Sequence, residues 1–119
     1  MLTRDSILNY VYENFGTKPD YPWEKDPKSA VLRHKRSGKW YGLIMEIPGE
    51  KVGLTEKELV DVLNIKGEPE MISQLAVQKG FAPAYHMNKT HWLTVILDGS
   101  VPETEVYNLI DISYEMTKK

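Results

Sequence analysis

Apolar positions change their spacing along the chain, and each change marks an element. Ile7, Leu8, Val11, Tyr12 and Phe15 recur at helical intervals. Thr3 is placed to cap that helix, Asp5 suits the positive end of its dipole, and Gly16 suits its stop, which predicts a helix over 4–15. Prolines 19, 22 and 27 forbid a regular helix in the next stretch, so 17–29 reads as a loop. Within it, Trp23 is expected to fold back on the core as an anchor, with ligand stacking as the alternative. Runs 30–35 and 40–47 flank Ser37-Gly38, a turn signal, and predict a hairpin. A two-residue loop would set Lys35 opposite Trp40 and His34 opposite Tyr41. Strand alternation then places Arg33, Lys35 and Trp40 on one face, and Ala30, Leu32, His34, Tyr41, Leu43 and Met45 on the core face. On that register His34 is a half-exposed residue near the hairpin tip.

Pro48-Gly49 ends the second strand, and 59–65 reads as a third. Pro69 after Glu68 opens a helix over 69–79, with Met71, Ile72, Leu75 and Ala76 on its buried side. A fourth strand is predicted over 92–97. Ser100-Val101-Pro102-Glu103 has the form of a capping box ahead of a last helix over 102–116, carrying Val106, Leu109, Ile110 and Ser113. Sequential strands with short connections imply an antiparallel sheet, and the helices must cover one of its faces. The fold class is α+β, with the first and last helices covering that face through Ile7, Val11, Phe15, Val106 and Ile110. No Gly-rich phosphate loop points to a doubly wound nucleotide fold.

Composition narrows the picture. At 119 residues the chain is long enough for one core and too short for two, so 1–119 reads as a single domain. Its hydrophobic content, 41%, is that of a globular protein rather than a disordered one. Cysteine is absent, which removes disulfides, thiolate metal sites and cysteine nucleophiles. Residues 1–5 lack the apolar core of a signal peptide, and no apolar run approaches the roughly 20 residues of a membrane span. A cytoplasmic location, without a membrane partner, is the expectation.

Charge is unevenly spread. Residues 28–45 carry Lys28, Arg33, Lys35, Arg36 and Lys39 and no acid, and 79–97 carry Lys79 and Lys89 and no acid. All 17 acidic residues lie outside these two stretches. Folding could join the stretches into one positive patch; otherwise they are solvated strand edges that discourage edge pairing.

The densest chemistry lies in Tyr85-His86-Met87-Asn88-Lys89-Thr90-His91-Trp92, just before an apolar strand. Loops at the mouth of a strand are where a rigid scaffold aims side chains at a ligand. This string resembles the MmcQ/YjbR family of small bacterial proteins. The likeness extends to Tyr21-Pro22-Trp23, Gly38-Lys39-Trp40, Leu63-Asn64-Ile65-Lys66 with Glu68-Pro69-Glu70, and Asp98-Gly99-Ser100. It implies a CyaY/frataxin-like α+β fold and DNA binding. The connection 48–58 is longer than in the shorter family pattern, and a groove on the sheet would be blocked if this segment covered it.

The residues agree with a weak DNA contact. Arg33, Lys35, Arg36 and Lys39 on the hairpin, with Asn88, Lys89 and His91 in the motif, supply cations and donors for phosphates. Trp40 and Trp92 could pack on sugars or stack on unpaired bases. Against this stands a pI of about 5.9, low for a nucleic-acid binder. Tyr85, His86, Met87 and Trp92 complete the motif; Asn88 can close a turn with its own side chain, and Trp92 is expected to be mostly buried. An enzyme would need His86 or His91 to shuttle protons, yet no triad accompanies them, and their spacing is a poor match to metal ligands. The expectation is a non-catalytic protein with no metal and no cofactor. A small-ligand or protein-interaction module using the same loop is the alternative.

Overall fold

The computed structural model describes residues 2–119, which form three α-helices and five strands. In chain order these are α1 (Arg4–Phe15), β1 (Ala30–Arg33), β2 (Trp40–Pro48), a 3-10 turn (Gly49–Val52), β3 (Leu59–Lys66), α2 (Pro69–Leu75), β4 (Phe81–Pro83), β5 (Trp92–Ile96) and α3 (Glu103–Thr117). The sheet is antiparallel throughout, in the order β1-β2-β3-β5-β4. The predicted elements are all present. The added strand, β4, is three residues taken from the stretch read as a loop, and α2 stops four residues early.

Helix ends follow local chemistry at one terminus and depart from it at another. The Thr3 hydroxyl accepts the Ser6 N–H while the Ser6 hydroxyl accepts the Thr3 N–H, a reciprocal cap. Gly16 ends α1 at φ 67. At α3 the expected Ser100 cap is absent: Pro102 occupies the cap position, and the Ser100 N–H donates to Asp98 Oδ1 (3.0 Å), closing a turn instead. Proline's fixed φ and the acids Glu103 and Glu105 start this helix without a hydroxyl.

A bulge in the hairpin sorts the two faces of the sheet. Leu32 pairs with Gly42, but Arg33 pairs with Trp40, so Tyr41 is an extra residue on β2. The turn holds four residues rather than two, with the His34 N–H donating to the Lys39 carbonyl and the Gly38 N–H to the His34 carbonyl. Arg33, not Lys35, therefore faces Trp40. Tyr41 and Gly42 both lie toward the helices; a Cβ on Gly42 would sit 2.8 Å from Leu32. Beyond the bulge the alternation is inverted relative to the expected register. Ile44 joins Ala30 and Leu32 under the helices, while Leu43 and Met45 point to the opposite face with Val31.

The helix face holds the larger core. Ile7 and Val11 of α1 and Val106 and Ile110 of α3 are fully buried against Leu32, Ile44, Leu63, Ile65, Leu93 and Val95. The two helices run side by side through stacked ring pairs, Tyr10 on Tyr107 (4.1 Å) and Phe15 on Tyr114 (3.8 Å). The other face carries a second apolar layer, covered by loops rather than helices. Val52 and Leu54, from the long 48–58 connection, pack on this layer.

Two buried hydrogen-bond networks tie these layers together. On the helix face, Ser113 reaches from α3 into the bulge: its hydroxyl donates to the Tyr41 carbonyl (2.6 Å) and accepts the Lys66 N–H (2.9 Å). The Tyr41 hydroxyl donates to Thr17 (2.5 Å), and burial pushes its pKa up to about 12, so it stays a donor. On the loop face, Asn64 and Thr94 are neighbours across β3 and β5, both fully buried. The Thr94 hydroxyl accepts the Tyr85 N–H (3.0 Å) and donates to Asn64 Oδ1 (2.5 Å), while Asn64 Nδ2 donates to the Tyr85 carbonyl (3.0 Å). This closed ring pins the start of the motif loop to the centre of the sheet.

His34 is buried at 6% exposure, not half-exposed, because the four-residue turn tucks it under the end of α3. Thr117 donates its hydroxyl proton to the Ser113 carbonyl, so the 2.8 Å contact leaves Thr117 Oγ1 to accept from His34 Nε2–H. Desolvation lowers the His34 pKa below 6.5, outweighing a backbone hydrogen bond at Tyr114 that raises it.

Loss of Ser113 should strand the Tyr41 carbonyl and the Lys66 amide, and loss of Asn64 should strand the Thr94 hydroxyl and the Tyr85 carbonyl. Ser113→Ala and Asn64→Ala should each cost roughly 1–3 kcal/mol in urea unfolding. Only Asn64→Ala should also speed amide exchange at Tyr85 and through the motif loop. For His34, the unfolded chain binds a proton below about pH 6.5 that the folded chain resists. Its contribution to stability is therefore complete above that pH and is lost as the pH falls. Unfolding measured at about pH 7.5 and about pH 5 should show a smaller loss for His34→Gln than for the native chain.

Candidate functional site: a cationic sheet end and an aromatic groove

Antiparallel pairing gathers particular chain segments at one end of the sheet. The last residues of β1, β3 and β4 and the first of β2 and β5 lie together there, shown by the pairs Arg33–Trp40, Lys66–Trp92 and Pro83–Leu93. The 34–39 turn and the 84–91 motif loop therefore project from the same end, and α3 delivers Lys118 and Lys119 beside the turn. These segments carry Lys35, Arg36, Lys39, Lys89, Lys118 and Lys119 and no acid. At the opposite end, 49–61 and 98–105 hold Glu50, Glu56, Glu58, Asp61, Asp98, Glu103 and Glu105 against Lys51 and Lys57. Glu68 and Glu70 after β3, and Glu115 at 3.9 Å from Lys118, also lie at the first end, and Arg4, paired with Asp61, at the second, so this chain of formal charge −2 is polarised along its strands only in part. Helix dipoles share this arrangement: α1 and α3 end at the cationic pole and begin at the acidic one.

The cations are grouped in two places. Arg33, Lys35, Arg36 and Lys118 line a small concavity of about 230 Å³ with Phe15, His34 and Tyr114. Lys89 lines a different one, along β4 with Lys51 and Val52. Turn and motif loop stand over opposite halves of the sheet, about three strand spacings or ~14 Å apart. They share one end of the molecule but not one concavity.

Not every predicted cation is free. Arg33 is half-exposed, its Nε donating to Asp20 Oδ2 at 2.9 Å, and its guanidinium lies over the Trp40 ring at 5.4 Å. It orients Trp40 rather than offering charge to a ligand. Lys39 reaches the Lys119 carbonyl. Lys35 and Arg36 are exposed, as are His86, Asn88, Lys89 and His91. Trp92, at the start of β5, is mostly but not fully buried, as expected.

Motif residues divide between scaffold and surface. Asn88 closes a turn as expected, its Oδ1 accepting the N–H groups of Thr90 (2.9 Å) and His91 (3.0 Å). Tyr85 and Met87 are half-buried against the loop-face layer. His86 lies between them at φ 60, the one non-glycine residue with positive φ among the described residues, with its ring against Tyr85 at 4.0 Å. A left-handed histidine is held there at a cost, and such strain gathers where loops serve a site.

Between the motif loop, the 17–29 loop and β2 runs a groove of about 490 Å³. Leu43, Met45 and Met87 give it an apolar lining, and Trp23 and Trp40 meet in it edge to face at 5.9 Å. Trp23 is not a core anchor: it is 38% exposed, and its ring rests on Trp40. No residue of 48–58 lines this groove, so the long connection leaves it open. Leu43 and Met45 are not legible as site residues in the sequence, because the bulge that turns them here depends on pairing across strands, whereas Trp23 takes the place its stacking alternative allowed. Asn64 and Thr94 were also missed, although a polar residue inside the apolar 59–65 run was a visible signal.

Among the described residues no group of three or more His, Asp or Glu side chains could hold a metal ion, and no helix is long and apolar enough to cross a membrane. The arrangement offers phosphate-sized cationic contacts next to an apolar, ring-lined groove.

Comparison with known proteins places this architecture. "Uncharacterized protein YyaQ" of Bacillus subtilis (strain 168) is 48% identical over 118 residues, covering 99% of this chain and 100% of that protein. "Uncharacterized protein YjbR" of Escherichia coli (strain K12) is 41% identical over 61 residues, 50% of this chain and 52% of that protein. A crystal structure of a Pseudomonas syringae protein, 44% identical, superposes with a TM-score of 0.95 over 98% of this chain and 99% of that one. A Deinococcus radiodurans structure with a DUF419 domain, 28% identical, gives 0.75 over 100% of this chain and 80% of the other. The family model described as YjbR matches residues 14–116, and the chain belongs to the YjbR family.

Proposed function

We propose that the protein is a weak, non-catalytic nucleic-acid-binding module of the cytoplasm that grips phosphates with its cationic pole. The observation that carries this reading is charge separation: an acidic chain folds so that its acid-free turn and motif loop share one end with the C-terminal lysines, and that end stays net positive although Glu68, Glu70 and Glu115 lie there too. A polyanion approaching that end meets Lys35, Arg36 and Lys89, while the acidic pole faces away. Phosphate contacts of this kind position a nucleic acid without reading its sequence, and no basic helix offers a sequence reader. The resemblance to CyaY/frataxin-like domains belongs to the same reading and is compatible with an antiparallel sheet carrying its helices on one face. A second reading, a small-ligand or protein-interaction module, draws its support from the apolar groove beside the motif loop.

Fluorescence anisotropy with labelled DNA across a salt series tests the proposal. With about three phosphates neutralised, by Lys35, Arg36 and Lys89, the logarithm of affinity should fall against log salt with a slope near −2.7 on duplex DNA. Lys35→Ala, Arg36→Ala and Lys89→Ala should each flatten the slope by about one unit, equally for any sequence. Lys57→Ala, at the acidic pole, should leave it unchanged. Absence of binding at low salt, or equal slopes for all four variants, would overturn the reading.

A further inference from the structure

We propose that the groove between Trp23, Trp40 and the motif loop is a stacking subsite for one unpaired nucleobase, so that the preferred ligand is single-stranded nucleic acid. This rests on the nucleic-acid reading above and adds to it a strand preference and a site.

The fold itself does not account for the groove. Trp23 leaves an indole 38% exposed on a loop that could have carried a polar residue, and it presses on a second tryptophan rather than on the core. Trp40 is held by that contact and by Arg33, which Asp20 fixes in turn. A platform locked in this way loses little side-chain entropy when a flat ring settles on it. Leu43, Met45 and Met87 supply a flat, polarisable lining suited to an aromatic ring. The volume, about 490 Å³, lies in the range of small-molecule clefts and admits a base with its sugar.

Charge identifies the occupant. The rim of the groove has Lys25 opposed by Asp26, whose carboxylate is occupied by the Ser29 hydroxyl, so the groove is locally neutral and suits a base rather than a phosphate. The phosphates have their own place next door, because the exposed Lys35 and Arg36 lie in the turn that leads into Trp40. At the other wall, Asn88 uses its Oδ1 on backbone amides, which leaves its Nδ2–H₂ as a donor for a base-edge acceptor. Duplex bases are stacked on each other and cannot enter such a groove, whereas every unpaired base presents a ring face.

The test compares three probes of similar length in tryptophan-fluorescence titrations at low salt: a dodecamer of thymidylate, an abasic strand of equal charge, and a duplex. One base on an aromatic platform is worth roughly 1–3 kcal/mol, so the thymidylate strand should bind about 5-fold to 150-fold more tightly than the abasic one. Trp23→Ala, at an exposed position, should erase that advantage while keeping the salt slope, and Met87→Ala should reduce it. Lys35→Ala should do the reverse. Equal affinity for thymidylate and abasic strands, with the salt slope intact, would overturn the subsite and leave phosphate binding standing. No binding of any strand would overturn both. Displacement of a groove-bound dye by an apolar peptide but not by thymidylate would assign the groove to a protein partner and also overturn the proposal.

Discussion

The extra residue at Tyr41 governs more of this molecule than any other local feature. A bulge leaves backbone groups without ladder partners and shifts the facing of everything after it. Here the shift sends Leu43 and Met45 to the loop face and keeps Tyr41 with Gly42 under the helices. The price in unpaired backbone is met by Ser113, which takes the Tyr41 carbonyl and the Lys66 amide together and so binds α3 to β2 and β3. Without the bulge, the apolar lining of the groove would lie in the helix-side core, and Trp40 would have no Met45 beside it.

A second polar device works on the other side of the sheet. A loop lying over an apolar layer has backbone groups that cannot all reach water, and each unmet one is costly. Asn64 and Thr94 answer both the N–H and the carbonyl of Tyr85 in one closed ring. Buried rings of this kind confer position as well as stability. The motif loop is thereby fixed at its root and closed by the Asn88 turn at its far end, while the side chains of His86, Asn88, Lys89 and His91 stay exposed.

Charge separation follows from topology acting on an uneven sequence. Two acid-free stretches lie about fifty residues apart in the chain, as Lys35 and Lys89 show. An antiparallel sheet whose strands alternate direction returns both to the same end, and parallel packing of α1 with α3 adds the C-terminal lysines. These cations also complement the negative ends of the two helix dipoles, so the arrangement stabilises the fold whatever binds there. Fold stability and a polyanion site ask for the same charges at this pole.

Local chemistry decided what could be read along the chain. Helical spacing of Ile7 and Val11, the Thr3 cap, Gly16 and the Pro69 start depend on neighbours within four residues, so α1 and the beginnings of α2, β3 and β5 were legible. The α+β class, the antiparallel sheet and the helix-covered face followed from the same periodicities, and the motif string carried the family. What required the tertiary structure was pairing at a distance. The four-residue turn and the bulge are set by contacts of β2 with β1, β3 and α3, which is why His34 went inside and Lys35 left the strand. Ser100 lost its cap because Pro102 already fixed the entry to α3. Trp23 and the ring of Asn64, Thr94 and Tyr85 joined the site for the same reason: sequence separation hides partners that only a closed sheet brings within hydrogen-bonding and stacking distance.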